Sequence, residues 1–129
     1  MEDSRTNKIL IVDDEAHIRL LIQQTLEDLE DQGVEILSAD NGREALRLAE
    51  QEQPRLVFLD VMMPNIDGLQ VCHTLKHELQ MSNVYVVILT AKGQKYDLQR
   101  SQEAGADRYM TKPFDPDELL NLASNVLFE

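Results

Sequence analysis

The sequence predicts an α/β protein in which five parallel strands form one doubly wound sheet with helices on both faces. Short apolar runs rich in branched residues alternate along the chain with longer segments whose apolar residues recur at the period of a helix. Crossovers between parallel strands are right-handed almost without exception, so this (βα)5 pattern winds into an open sheet. The 129 residues suffice for one hydrophobic core, and we expect residues 1–129 to form a single domain.

Five apolar runs are predicted to be the strands of this sheet. They are Lys8–Val12, Val34–Ser38, Leu56–Leu59, Val84–Leu89 and Arg108–Met110. The third and fourth runs are apolar at consecutive positions, which is typical of strands buried on both faces. We therefore predict that these two strands are central.

The first helix is predicted from a stripe of apolar residues at helical spacing. The stripe consists of Ile18, Leu21, Ile22, Leu26 and Leu29. A second helix is predicted to begin at Asn41, because asparagine is a good N-cap. The segment from Gln94 to Ala104 offers only Tyr96, Leu98 and Ala104 as apolar anchors, so this fourth helix is predicted to be the least firmly docked.

The last helix is predicted to open at Asp115 as the cap, with Pro116 in the first helical position and Glu118 completing a capping box. Its predicted core stripe consists of Leu119, Leu122, Ala123 and Val126. Three further apolar residues lie off this stripe and are predicted to be available to a second copy of the chain or to an output domain. They are Leu120, Leu127 and Phe128.

The composition excludes several classes of function. Asp and Glu number 24 against 12 Lys and Arg, and the net charge of −12 repels nucleic acids and anionic membrane surfaces. The single cysteine, Cys72, excludes an internal disulfide and fits a reducing compartment. No secretory signal and no stretch of about 20 apolar residues is present. We therefore predict a cytoplasmic protein without direct nucleic-acid or membrane contact.

Polar residues able to do chemistry stand at the ends of four predicted strands. Asp13 and Asp14 follow the first strand, Asp60 the third and Thr90 the fourth, while Lys112 lies two residues beyond the fifth. The carboxyl ends of the strands form the ligand crevice in open α/β sheets. These five side chains are therefore predicted to converge although they are distant in sequence.

The residue types at this crevice indicate metal-assisted phosphoryl chemistry. Three carboxylates repel one another, and a hard cation such as Mg²⁺ relieves the repulsion and also attracts phosphate oxygens. A carboxylate is a competent nucleophile for forming an acyl phosphate, and Asp60, alone on its strand, fits that role. Lys112 can neutralise one phosphoryl oxygen, and Thr90 can donate a hydrogen bond to another.

Four sequence strings, in this order and spacing, together resemble the receiver domain of bacterial two-component response regulators, including the chemotaxis regulators. They are Ile9-Leu10-Ile11-Val12-Asp13-Asp14-Glu15, Asp60-Val61-Met62-Met63-Pro64 with Asp67-Gly68, Leu89-Thr90-Ala91, and Tyr109-Met110-Thr111-Lys112-Pro113-Phe114. The resemblance covers nearly the whole chain and implies the flavodoxin-like strand order 2-1-3-4-5.

The resemblance also implies a role for each residue at the metal site. Asp60 is the implied phosphoacceptor, and Asp14 and Asp60 are the implied direct ligands of Mg²⁺, for which Mn²⁺ can substitute. Asp13 acts mainly through bound water, and the backbone carbonyl of Met62 completes the protein ligands.

The implied response to phosphorylation uses residues of the last two strands. Thr90 matches the switch hydroxyl, Lys112 the phosphate-binding lysine, and Tyr109 the aromatic residue that turns inward on activation. Plain core packing of Tyr109 is the alternative reading. The Lys112–Pro113 peptide bond is implied to be cis, which is inexpensive only before proline.

As a family member, the chain is expected to be a signalling switch rather than a turnover enzyme. A sensor histidine kinase or histidine phosphotransfer protein, docking near His17 and Leu20, is the implied donor. The surface of the fourth helix, fifth strand and fifth helix then signals to a downstream partner, an output domain or a twin subunit. No output domain is expected within these residues. Because neither Met62 nor Lys92 is acidic or an amide, slow self-dephosphorylation is predicted.

Three other interpretations are open at this stage. A phosphatase of the haloacid dehalogenase type uses similar chemistry, but its nucleophile follows the first strand in an Asp-x-Asp pattern, unlike Asp13-Asp14-Glu15. A receiver-like interaction module would not accept phosphate at all. His73 and His77 lie four residues apart on the third helix and could bind a transition metal, although a solvated helix face is favoured.

Overall fold

The computed structural model describes residues 7–91 and 95–128, apart from the side chains of 91 and 95–98. All five strands of its single sheet are parallel, and their order is β2-β1-β3-β4-β5. They are β1 Lys8–Val12, β2 Glu35–Ala39, β3 Leu56–Asp60, β4 Tyr85–Ala91 and β5 Arg108–Lys112. The predicted fold class and strand order are confirmed, and β3 and β4 are interior strands as predicted.

Five helices connect and follow the strands. They are α1 Ala16–Thr25, α2 Gly42–Glu52, α3 Gly68–His73, α4 Lys95–Ala104 and α5 Pro116–Phe128. A single helical turn, Glu27–Glu30, follows α1, and α3 continues as a π-helical turn, Thr74–Glu78. Within the described ranges, no helix has both the length and the apolar character needed to cross a membrane.

The helices cover both faces of the sheet because alternate residues of each strand point to opposite sides. On one face, Leu59 belongs to an apolar cluster that also contains Leu75 beside α3. On the other face, Phe58 belongs to a second cluster with Ile22 of α1 and Leu119 of α5. The two clusters bury β3 completely, and its carboxyl end is therefore held rigidly.

Four strands extend further toward their carboxyl ends than predicted, and in three of them the extension contains a residue of the predicted site. Asp60, Thr90 and Lys112 lie inside β3, β4 and β5, where they pair with residues of the neighbouring strands. The predicted strand ends were placed at the last apolar side chain of each run. Neighbouring strands are joined by hydrogen bonds between backbone groups, which form whatever the side chain is. The correction matters for Lys112, which is the last residue of a strand rather than a loop residue two positions beyond one.

Two predictions about helix faces were wrong. Leu21 of the predicted α1 stripe is 45% exposed, because it lies on the solvent side of the buried Ile22. Leu127, predicted to be off the core stripe, is only 3% exposed. Arg55 donates hydrogen bonds to the carbonyls of Leu127 at 3.0 Å and Val126 at 3.4 Å, which holds the last turn of α5 over the sheet.

The predicted helix starts agree with the structure. Asn41 Oδ1 accepts a hydrogen bond from the backbone N–H of Glu44 at 2.8 Å, and Asp115 Oδ1 accepts one from Asp117 N–H at 2.9 Å. Glu118 forms an ion pair with Arg108 at 3.5 Å, and the capping box predicted for it stays a prediction. The side chains of the predicted anchors Tyr96 and Leu98 lie outside the described structure, and so does Lys92, one of the two positions predicted to govern the rate of self-dephosphorylation.

Candidate functional site

An acidic cluster lies at the carboxyl ends of β1 and β3. These strands are direct neighbours, with Val12 paired to Leu59, so Asp13 and Asp60 come next to each other. Among the described residues, carboxylate oxygens of Asp13, Asp14 and Asp60 all lie within 4.8 Å of one another. Asp13 and Asp60 are buried while Asp14 is exposed. Two of the three carboxylates therefore lie inside the protein, and the third faces solvent.

Lys112 reaches this cluster from the end of β5. Its Nζ lies 2.9 Å from Asp60 Oδ1 and 3.2 Å from Asp13 Oδ2. β4 separates β5 from β3, and both β4 and β3 separate it from β1, so the long lysine side chain crosses the carboxyl ends of these strands to make both contacts. The predicted convergence of Lys112 with the acid pair and Asp60 is observed.

Burial and charge set the protonation behaviour of the cluster. The pKa of Asp60 is raised to about 6, chiefly by burial, and the charges of Asp13 and Asp14 add to this while Lys112 opposes it. Burial disfavours the charged form of Lys112, but its hydrogen bond to Asp60 and the nearby carboxylate charges outweigh burial and raise its pKa. One ammonium therefore faces three carboxylates, and either a proton on Asp60 or a further cation relieves the remaining negative charge.

We expect the metal-free domain to lose stability relative to an Asp60→Asn variant as the pH rises from 3.8 through about 6. Because folding raises the pKa of Asp60, the folded state holds this proton more tightly than the unfolded chain does. The stabilising contribution is therefore present at low pH and is lost above the folded-state pKa. Urea unfolding of both proteins in the presence of a chelator measures this loss. A difference between their free energies of unfolding that stays constant across this pH range would contradict the raised pKa of Asp60.

Met62 lies in the turn that follows β3, two residues after Asp60. Its side chain is 72% exposed, while Met63 N–H donates to the Val61 carbonyl at 3.1 Å and closes the turn. Asp67 then caps α3 by accepting a hydrogen bond from Gln70 N–H at 2.9 Å. The turn therefore presents the Met62 side chain to solvent.

Gly68 has a structural role that sequence reasoning did not assign. A Cβ atom at this position would lie 2.0 Å from the carbonyl oxygen of Asp60 and 3.0 Å from Cα of Val61. Only glycine allows α3 to start this close to the end of β3. The sequence signal for this role was the pair Asp67-Gly68. A capping residue followed by glycine indicates a helix whose first residue lies close to the backbone of a neighbouring element.

The remaining predicted residues lie on β4 and β5. Thr90 is buried on β4 and pairs with Thr111 of β5. Tyr109 of β5 pairs with Ile88, and its half-buried side chain packs against the apolar cluster beneath α2 and α3. The Lys112–Pro113 peptide bond is cis, as the resemblance implies. The roles of Thr90 and Tyr109 in switching stay predictions.

The other candidate groups of the sequence lie away from this cluster. Cys72 is buried, and burial raises the pKa of its thiol to about 12, so it is not a nucleophile at neutral pH. The rings of His73 and His77 lie 4.6 Å apart on an exposed helix face. This placement agrees with the favoured reading of a solvated face.

The donor atoms of the acidic cluster fit a hard divalent cation. All three side chains offer carboxylate oxygens, which Mg²⁺ prefers, and one of them faces solvent, where metal-bound water and phosphate oxygens can be accommodated. A soft metal would need thiolate or imidazole ligands, and the cluster contains neither.

A doubly wound sheet of order 2-1-3-4-5 with an acid pair, a third carboxylate and a lysine at its carboxyl edge is the architecture of a receiver domain. The family described as the response regulator receiver domain matches residues 9–124. The chain belongs to this family.

Individual relatives and solved structures agree with this assignment. The chain is 46% identical over 112 residues to the alkaline phosphatase synthesis transcriptional regulatory protein PhoP of Bacillus subtilis, covering 87% of this chain and 45% of that protein. It is 39% identical over 119 residues to the response regulator Rre1 of Synechocystis, covering 92% and 51%. The chain therefore spans about half the length of these curated relatives.

A similar solved structure is the signal receiver domain of a DNA-binding response regulator from Colwellia psychrerythraea. It superposes with a TM-score of 0.86 at 27% identity and covers 95% of this chain and 99% of that one. These findings do not favour the phosphatase or the receiver-like module that does not accept phosphate.

Proposed function

We propose that Asp60 accepts a phosphoryl group from a phosphohistidine of a sensor histidine kinase or a histidine phosphotransfer protein. The observation that carries this proposal is the 2.9 Å contact between Lys112 Nζ and Asp60 Oδ1. It places a fixed cation where negative charge accumulates during transfer, and such preorganised charge is a major source of rate enhancement. The named relatives are transcriptional and response regulators, which supports a signalling role.

In the transfer step, a carboxylate oxygen of Asp60 attacks phosphorus, forming a P–O bond as the P–N bond of the phosphohistidine breaks. The imidazole leaves with the bonding electron pair and takes up a proton. With its pKa near 6, Asp60 is mostly ionised and nucleophilic at neutral pH. Mg²⁺, when bound by Asp13, Asp14, Asp60 and the Met62 carbonyl, supplies charge that offsets the carboxylates and the phosphoryl oxygens.

The phosphorylated state is read out through β4 and β5. Thr90, buried near the end of β4, moves toward the phosphoryl group to donate its hydroxyl hydrogen. Tyr109 on β5 follows inward, and the surface formed by α4, β5 and α5 changes its shape. That surface contacts a downstream protein, an output domain or a second copy of the chain, and the domain works as a switch rather than as a turnover enzyme.

Incubation with acetyl phosphate and Mg²⁺, followed by intact mass measurement, tests the proposal. The chain should gain one phosphoryl group, and the gain should disappear when EDTA removes the metal. A chain that keeps its unmodified mass under these conditions, with its fold verified by circular dichroism, would contradict the proposed function.

We expect an Asn in place of Met62 to shorten the lifetime of the phosphorylated state by about tenfold, which corresponds to roughly 1.4 kcal/mol of barrier. The exposed thioether of Met62 is a weak hydrogen-bond acceptor and orients water poorly, whereas an amide can hold the attacking water. Loss of the phosphoryl group from purified protein, followed by mass over time, measures the rate. Met62→Leu is the matched control and should decay as the unaltered chain does; equal rates for Met62→Asn and Met62→Leu would refute this explanation.

A further inference from the structure

Arg19 of α1 contacts the backbone of the acid pair from outside the acidic cluster. Its guanidinium Nη1 donates a hydrogen bond of 2.7 Å to the carbonyl oxygen of Asp13. The side chain is half-buried, and it crosses from α1 back to the turn that follows β1. A charged donor makes this one of the stronger classes of hydrogen bond.

The turn between β1 and α1 lacks the usual helix cap. Glu15 occupies the N-cap position but makes no side-chain cap hydrogen bond in the described structure, and the first turn of α1 contains no acidic residue. The conformation of Asp13 and Asp14 must therefore be fixed by other contacts.

Hydrogen bonds to Asp13 supply that fixation. Its N–H donates to the Ala39 carbonyl at 3.2 Å, and its Oδ1 accepts from Glu15 N–H at 2.9 Å. Oδ2 accepts from Lys112 at 3.2 Å, and the carbonyl oxygen accepts from Arg19. Each polar atom of Asp13 is thus engaged, and among the described residues Arg19 is the contributor from the body of α1.

We propose that Arg19 is a positioning residue that holds the Asp13–Asp14 turn in the conformation that binds the divalent cation. This inference rests on the proposed metal site. Charge alone predicts the opposite effect, because a guanidinium near three carboxylates repels a cation and its removal should tighten metal binding. Positioning predicts that removal weakens metal binding, since the ligands are no longer held in place. The sign of the change therefore separates the two explanations.

Mn²⁺ alone is the probe, and free Mn²⁺ is measured by electron paramagnetic resonance during titration of the metal-free domain. We expect Arg19→Gln to weaken Mn²⁺ binding by about tenfold, the lower end of the range for residues that orient metal ligands. Arg108→Gln is the matched control, because it removes the same charge from the first residue of β5. That residue lies at the amino end of its strand, whereas the acidic cluster lies at the carboxyl ends of the strands. The Mn²⁺ affinity of Arg108→Gln should equal that of the unaltered chain.

Affinity for Mn²⁺ that is unchanged or tighter in Arg19→Gln would overturn the inference while leaving the metal site intact. If Arg19→Gln fails to fold, Arg19→Met carries the test, because it keeps an unbranched side chain but has no donor for the Asp13 carbonyl. Weakened binding supports positioning, and unchanged or tighter binding refutes it. Asp14→Asn must also lose affinity. If it binds Mn²⁺ as the unaltered chain does, the proposed metal site fails, and the inference fails with it.

Discussion

Replacement of Asp60 by asparagine should abolish phosphorylation by acetyl phosphate, the largest functional effect that we expect from one substitution. Asparagine has nearly the same shape but an amide in place of the nucleophilic carboxylate, so no acyl phosphate can form. The variant should also fold, because loss of a buried carboxylate whose pKa is raised to about 6 removes an unfavourable charge at neutral pH. Intact mass after incubation with acetyl phosphate and Mg²⁺ measures the result.

Asp67→Asn is the control for this prediction. Asp67 lies on the same turn between β3 and α3, and asparagine caps a helix as well as aspartate does. This variant should gain one phosphoryl group, as the unaltered chain does. A full phosphoryl gain by Asp60→Asn would place the acceptor on another residue, and peptide mapping after borohydride reduction of the acyl phosphate would identify it.

Gly68→Ala should destabilise the domain by about 3 kcal/mol or more, at the upper end of the range for overpacking substitutions. The added Cβ would lie 2.0 Å from the Asp60 carbonyl oxygen. Neither atom can turn away by a change of rotamer, because both are fixed to the backbone, so α3 or the end of β3 must shift. Urea unfolding measures the loss, and the displacement of β3 should slow phosphorylation of whatever fraction remains folded.

Gly42→Ala provides a matched comparison, because Gly42 is likewise the first residue of a helix and the substitution changes helix propensity by the same amount. Its Cβ would lie 2.8 Å from the Ile66 carbonyl oxygen, so a smaller shift relieves the overlap. We expect Gly42→Ala to cost clearly less than Gly68→Ala. Equal losses would show that the approach of α3 to Asp60 is not the cause.

The site was predictable to a large extent because its residues stand at strand ends, and parallel strands bring their carboxyl ends to one edge. This geometry is encoded locally by the alternation of apolar and helical segments, so Asp13, Asp60 and Lys112 could be assigned to one crevice without coordinates. The strand order did not follow from that alternation. It came from the resemblance to receiver domains, and the backbone pairing confirms it.

Helix faces were less predictable, as Leu21 and Leu127 show. A stripe on a helical wheel gives the side that is apolar, but the helix's position over the sheet decides which residues at the stripe's margin are covered. The hydrogen bonds from Arg55 to the last carbonyls of α5 connect residues some seventy positions apart and have no local sequence signal. They bring Leu127 into the core.

The sequence by itself determined the class of fold, the acid pair, the acceptor candidate and the lysine, because these depend on local periodicity and on the position of each residue along its strand. Only the tertiary structure decided the contact between Arg19 and the Asp13 carbonyl and the approach of Gly68 to Asp60. Both depend on the distance between a helix and a strand end, which packing of the whole core fixes and no local pattern specifies.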